Sequence, residues 1–261
     1  MQARIISQNE THYQFSQYDN WGSYQITRPV NSKLFYTADN FEKKKLLFQA
    51  SLKNAKDLKD NIADRRSINE IVYTIQQSIG AALDALPPGK SNKARKINGD
   101  LFEHFIRLII REVGVACHAG IVQIPVMVNG EQIFKMSYQH DLIVKINAEL
   151  KLLGAIKTSS KDRLDKIFID KFLYCRLTET SVPHIAIILN DVQRKNTKTE
   201  NKYGINSTFL PGHFKGYTVK LNPLDGVYYC YIRPNMMAEL ILKDHIKTFD
   251  FLLCEDIWKF T

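Results

Sequence analysis

Two residues with complementary chemistry stand close together in the middle of this chain. Asp141 lies in an apolar stretch, Tyr138 to Ile146, and Lys157 closes the next one, Leu150 to Thr158, after a short polar turn. Two adjacent antiparallel strands would bring this carboxylate and ammonium together at one sheet end. A carboxylate can hold a hard divalent ion that bridges to phosphate oxygens and lowers the pKa of an attacking water. The ammonium can orient that water and bind the phosphate. Phosphodiester hydrolysis needs such a set, although a buried Asp–Lys pair without chemical duty fits the spacing equally well.

Several elements must position these groups. Phe41 to Arg66 carries Lys43, Lys44, Lys45, Lys53, Lys56, Lys59, Arg65 and Arg66 in an Ala/Leu/Lys-rich stretch that predicts an exposed basic helix. Ser67, with Glu70 three residues on, predicts an N-cap for a core helix through Ile68, Ile71, Val72, Ile75, Ile79 and Leu83, stopped by Pro87-Pro88-Gly89. Gly89 to Lys96, with Lys90, Lys93, Arg95 and Lys96, predicts a mobile basic loop suited to phosphates. Asn98 to Val113 is a second helix with Phe102, Phe105, Ile106, Ile109 and Ile110 on one face and Gly114 beyond its end. Glu103 flanks that face.

Ile121 to Val128, Asn129-Gly130 and Gln132 to Ser137 form a hairpin by turn chemistry. The strands containing Asp141 and Lys157 follow, then a helix from Lys161 to Leu177 and a buried strand at Ile185 to Leu189. This order predicts an α/β fold, a mixed central sheet flanked by helices. Residues 191–220 are expected to be a long basic loop, followed by a strand at Val227 to Ile232, a helix from Pro234 to about Lys243 and an aromatic tail near Trp258. Residues 1–40, rich in Gln, Asn, Tyr, Ser and Thr, form an arm or a small outer layer.

At 261 residues and 44% hydrophobic content the chain can bury one sizeable core, and a formal charge of +9 favours a polyanionic partner. The four cysteines have no paired spacing, which argues against a zinc site or a disulfide framework. No apolar run is long enough to span a membrane, and a cytoplasmic location is expected.

Asp141 together with Ala155-Ile156-Lys157-Thr158-Ser159-Ser160-Lys161-Asp162-Arg163 resembles the signature of the PD-(D/E)XK nuclease superfamily, in the version seen in type II restriction endonucleases. The match covers roughly the middle third of the chain. The resemblance implies a restriction-endonuclease-like core over 67–261, with 1–66 as an N-terminal arm and basic helix packed on it. It implies Mg2+-dependent cleavage of double-stranded DNA at a short specific sequence, leaving 5′-phosphate ends. It further implies Asp141 as a metal ligand, Lys157 as the catalytic lysine and the Ile156 carbonyl as a further ligand.

Ala155 departs from the family pattern, because a second acid usually stands there. Glu103 and Asp170 are the candidate replacements as catalytic and metal-binding groups, ahead of Asp162 and Asp165. Arg163, Ser159 and Lys161 are candidate DNA contacts. So are Gln193, Arg194, Lys195, Asn196 and Lys202 in the basic segment, with His213 and Lys215 beyond it, because Arg suits guanine and Asn or Gln suits adenine. Duplex cleavage at a palindrome implies a homodimer, and a restriction system implies a cognate DNA methyltransferase as genetic partner. A non-catalytic DNA-binding protein with a decayed nuclease fold, a structure-specific repair nuclease and a structural protein whose charge serves solubility are the alternatives.

Overall fold

The computed structural model describes residues 2–8, 13–19, 22–24, 38–84, 90–160, 163–196, 203–237 and 239–261. At the N-terminus β1 (Gln2–Gln8), β2 (Tyr13–Asp19) and β3 (Gly22–Tyr24) form a small antiparallel sheet, so this stretch has strand order where little periodicity is visible. Three helices follow, α1 (Ala38–Lys53), α2 (Ile62–Asp84) and α3 (Ser91–Glu112). α2 starts earlier than Ser67, which is buried inside it. Its cap is Asn61, whose Oδ1 accepts from the Asp64 amide at 3.2 Å while its Nδ2 donates to Asp64 Oδ2 at 2.8 Å. The expected domain boundary at 66 falls within this helix.

Arg65 corrects the expectation of an exposed basic helix. Its Nε donates to Asp250 Oδ2 at 2.8 Å and its Nη1 to Glu255 Oε1 at 2.8 Å, and both Arg65 and Asp250 are buried. Gly89 lies outside the described residues, but Ser91 to Lys96 form the first turns of α3 and not a mobile loop. Gly114, at φ +107°, ends α3 in a conformation that an L side chain rarely adopts.

The meander that follows is β4 (Cys117–Val128), β5 (Glu131–Ile146) and β6 (Glu149–Lys157). Asn129 and Gly130, at φ 53° and 82°, make the turn between β4 and β5. β5 is one strand from Glu131 through Asp141, where the pattern suggested two. Beyond it lie α4 (Leu164–Thr178) and β7 (His184–Ile188). The described residues of the expected basic loop, 191–196 and 203–220, are not structureless: they hold a ribbon of β8 (Val192–Asn196) and β9 (Tyr203–Ser207), then α5 (Pro211–Gly216) running into a π-helical turn, Tyr217–Leu221.

The chain continues with β10 (Gly226–Tyr229), a 3-10 turn at Pro234–Met237, α6 (Leu240–His245) and β11 (Ile246–Thr248). The expected helix after Pro234 is therefore interrupted. The aromatic tail is helical, as α7 (Phe249–Phe251), a π-helical turn (Leu252–Asp256) and α8 (Ile257–Phe260).

The central sheet has six strands in the order β11-β10-β7-β6-β5-β4. β4, β5 and β6 pair antiparallel, whereas β6, β7, β10 and β11 pair parallel, so β6 is where the sheet changes sense. One face packs Leu142, Val144, Leu152, Ile156, Ile185 and Ile187 against Ile68 and Val72 of α2, Phe102, Ile106 and Ile110 of α3, and Leu253 of the C-terminal helix. The other packs Ala186, Ile188, Val227 and Tyr229 against Leu164, Ile167 and Phe168 of α4 and Phe214 of α5. The fold is thus an α/β mixed sheet flanked by helices. No helix among the described residues is long and apolar enough to cross a membrane. The four cysteines are free, with Cys175 half-buried and the others buried.

Candidate active site

A β-bulge delivers Asp141. In the β4–β5 ladder His118 pairs with Ile143 and Gly120 with His140, so β5 holds one residue more than β4, and Asp141 and Leu142 together oppose Ala119. A bulge breaks the strict alternation of side chains and re-aims the extra one. His140 and Ile143 accordingly both pack toward α4, His140 beside the His184 ring and Ile143 with Tyr174. Leu142 enters the core on the α3 side. Asp141 meets the groups that α3 and β6 present.

Asp141 Oδ2 accepts the Ile156 amide hydrogen at 2.9 Å and forms an ion pair with Lys157 Nζ. Glu103 Oε1 of α3 stands 3.3 Å from the same Nζ. The ammonium therefore lies between two carboxylates contributed by different elements, and all three side chains keep between 16% and 25% of their surface exposed. They are open to a ligand yet partly shielded from water. Arg107, one helical turn after Glu103, donates Nη1 to the Asp141 carbonyl at 2.8 Å and so ties α3 to the bulge. Sequence reasoning missed Arg107; the i,i+4 spacing from Glu103 was its only signal.

Burial, and next to it the charge of Asp141, raises the Glu103 carboxyl above the ordinary glutamate range, against the pull of Lys157 and Arg107. A carboxylate that resists ionisation beside a second carboxylate is suited to a further cation. The donor set of Glu103, Asp141 and the nearby main-chain carbonyls is all oxygen, which fits a hard ion such as Mg2+, commonly bound through one or two carboxylates with substrate phosphates and water. Among the described residues no group of three or more His, Cys, Asp or Glu converges as a metal cage. Among the described residues, Glu103 and Asp141 are the two carboxylates that pair with Lys157.

The other candidates are distributed more widely. Asp170 pairs with Lys166 one turn away on α4, and its charge is felt by His140, while no contact joins it to Glu103, Asp141 or Lys157. Ala155 is packed beside the α4-side core. Ser160 is buried and its hydroxyl lies 2.8 Å from that of Tyr229, whereas Ser159 is half-buried and Arg163 exposed just ahead of α4. His213 faces Asp165 at 3.3 Å, and Lys215 pairs with Glu239. Gln193, Arg194, Lys195 and Asn196 lie on β8, with side chains outside those described. Lys161, Asp162 and Lys202 lie outside the described residues.

A six-stranded mixed sheet packed by helices on both faces gives the chain the fold of the type II restriction endonucleases. The type IIP restriction endonuclease Kpn2I superimposes with a TM-score of 0.68 at 20% identity, over 98% of this chain and 82% of that one. The restriction endonuclease PspGI in complex with substrate DNA gives a TM-score of 0.45 at 12% identity, over 88% of this chain and 94% of that one. No family model and no curated protein matches the chain.

Proposed function

We propose that the protein is a type II restriction endonuclease that hydrolyses phosphodiester bonds in double-stranded DNA at a short specific sequence, requires Mg2+ and leaves 5′-phosphate ends. The observation that carries this reading is the meeting of Glu103, Asp141 and Lys157 at one end of the sheet. Glu103 and Asp141 would hold the ion, with the Ile156 carbonyl as a further ligand; Asp170 enters only if α4 or its side chain moves away from Lys166. Mg2+ bound there supplies a Lewis acid for the charge that develops on the phosphoryl oxygens.

The chain's own groups have definite tasks. Lys157 Nζ has three hydrogens, and pairing with Glu103 and Asp141 leaves a third for a nonbridging phosphate oxygen. The Ile156 amide and Arg107 fix the Asp141 side chain and backbone, so that the carboxylate does not reorganise during the reaction. The attacking water forms the new P–O bond opposite the departing 3′ oxygen and gives up one proton to solvent. The P–O3′ bond breaks, the 3′ oxygen takes a proton from solvent and the phosphate remains on the 5′ end.

Cleavage at a palindrome requires two such sites, so the working assembly is a homodimer, with a DNA methyltransferase as its genetic partner in a cytoplasmic restriction system. The +9 charge supports the duplex as partner. Incubation with plasmid and phage DNA and Mg2+, beside a chelator control and Lys157→Ala, tests the reading: discrete fragments from the wild type alone are expected. Smearing favours a structure-specific nuclease. Equal activity in wild type and variant removes the site from consideration. Ala155 motivates one rival, a DNA-binding protein with a decayed nuclease fold, which predicts salt-sensitive binding without cleavage.

A further inference from the structure

The strands β6, β7 and β10 run parallel and end together. Beyond the last ladder pair, the Leu189 amide donates to the Lys157 carbonyl at 3.0 Å and the Tyr231 amide to the Leu189 carbonyl at 3.1 Å. Ligands of open α/β sheets characteristically bind outside such carboxyl ends. Asp191 and Arg233 lie just past these bonds, at the end of the sheet that carries Lys157.

Asp191 is fully buried, and its carboxylate is matched on both oxygens by one guanidinium: Arg233 Nε donates at 2.8 Å to each and Nη2 to Oδ2 at 2.5 Å. Nη2 also donates to Ser207 Oγ at 2.7 Å. Asp191 is the residue before β8 and Ser207 the last of β9, so one side chain grips both roots of the ribbon. The Asp191 carbonyl accepts the Thr208 amide at 2.6 Å, and Asn190 Oδ1 accepts the Val192 amide at 3.3 Å, which closes the roots on each other. A two-stranded ribbon is marginal by itself, so its pose is set by what holds its base.

We propose that Arg233 is a positioning residue for DNA selection: through Asp191 and Ser207 it fixes the β8–β9 ribbon to the sheet end that presents Lys157. The inference rests on the reading of this ribbon as a DNA contact of a restriction endonuclease. It assigns a role to a residue outside both the catalytic group and the basic segment. The planar fork of arginine is required, because an ammonium cannot engage both carboxylate oxygens and the Ser207 hydroxyl in one plane.

Arg233→Lys and Ser207→Ala, compared with wild type in the full chain, test the inference by amide hydrogen exchange and by digestion of phage DNA. In Arg233→Lys, exchange of the amides in 192–196 and 203–207 is expected to quicken about tenfold, the weight of one charge-assisted hydrogen bond, while α3 and β5 stay protected. Additional fragments should appear and the half-saturating DNA concentration should rise about tenfold, with the rate at saturating DNA within about twofold of wild type. Ser207→Ala keeps the buried pair and should move the same quantities by a smaller factor. It decides the matter if Arg233→Lys does not fold.

Unchanged exchange in the ribbon overturns the clamp. Faster exchange with the wild-type fragment pattern and half-saturation overturns its role in selection. A wild type that cleaves no DNA overturns the nuclease reading and the selective role with it, while the exchange data still report separately whether Arg233 holds the ribbon.

Discussion

Replacing Glu103 by glutamine separates a ligand from a structural ion pair. At 3.3 Å from Lys157 Nζ, the gross attraction is about 5 kcal/mol for an effective dielectric constant of about 20. That attraction is more than offset: burial first, then the charge of Asp141, leave the Glu103 carboxyl harder to ionise than a free glutamate. The ionised side chain therefore opposes folding near neutral pH, and Glu103→Gln should be neutral or slightly stabilising, within about 1 kcal/mol. Metal affinity should behave differently. Loss of a supporting group around a metal costs about 10- to 100-fold, and loss of one of two carboxylate ligands should cost at least as much.

The assay is plasmid cleavage over a Mg2+ titration, beside thermal unfolding without metal. The half-saturating Mg2+ concentration should rise by at least that factor while the melting temperature moves by no more than about 4 °C, the equivalent of about 1 kcal/mol in a chain of this size. An unchanged Mg2+ dependence would refute the reasoning. So would a larger fall in melting temperature with normal Mg2+ dependence, which would make Glu103 a structural partner of Lys157.

The Glu103 carboxyl protonates above the ordinary value of 4.5, so the half-saturating Mg2+ concentration should begin to climb at a higher pH than for an ordinary glutamate as pH falls. For stability the sign is opposite to that of a depressed carboxyl: the contribution of Glu103 is full below the unfolded-state pKa and is lost as pH rises through the folded one. A Mg2+ profile equally steep in wild type and Glu103→Gln would contradict this. Arg65→Met removes the guanidinium from the buried Asp250 carboxylate, which keeps its hydrogen bond from Asn69, and should lower stability by about 3–5 kcal/mol in chemical denaturation; a change under about 1 kcal/mol would show the pair to be dispensable. Gly154→Ala would set a Cβ 3.0 Å from Leu142 Cδ2 and 3.1 Å from Ile185 Cγ1, and should cost about 1–3 kcal/mol by crowding β5, β6 and β7. Wild-type stability there would mean that the strands can part freely.

The core helices, the hairpin turn and the strand holding Lys157 were legible because each rests on local chemistry: apolar spacing along α2 and α3, Asn129-Gly130, and the run after Lys157. What escaped depends on partners distant in sequence. Arg65 looked like one more exposed cation because Asp250 and Glu255 lie at the other end of the chain. The ribbon in 191–220 is polar, and its anchoring Arg233 follows it by a whole strand. The bulge left no mark in the composition of β5, since Asp141 and Leu142 fit an alternating pattern; only pairing with β4 exposes the extra residue. At the site, Glu103 and Asp170 were equal candidates by residue type, and the fold places only Glu103 beside Lys157.

The change of sense at β6 has a kinetic consequence. β4, β5 and β6 follow one another through tight turns and can zip together early, because each pairing closes a short loop. β7, β10 and β11 must instead wait for crossovers through α4, α5 and α6 before they dock parallel. Asp141 and Lys157 are thus brought together by the fast half of the sheet, while the strand ends that hold Asp191 and Arg233 arrive with the slow half. In pulse-labelled refolding, β5 amides should become protected before those of β10, and simultaneous protection would show that the two halves form as one cooperative unit.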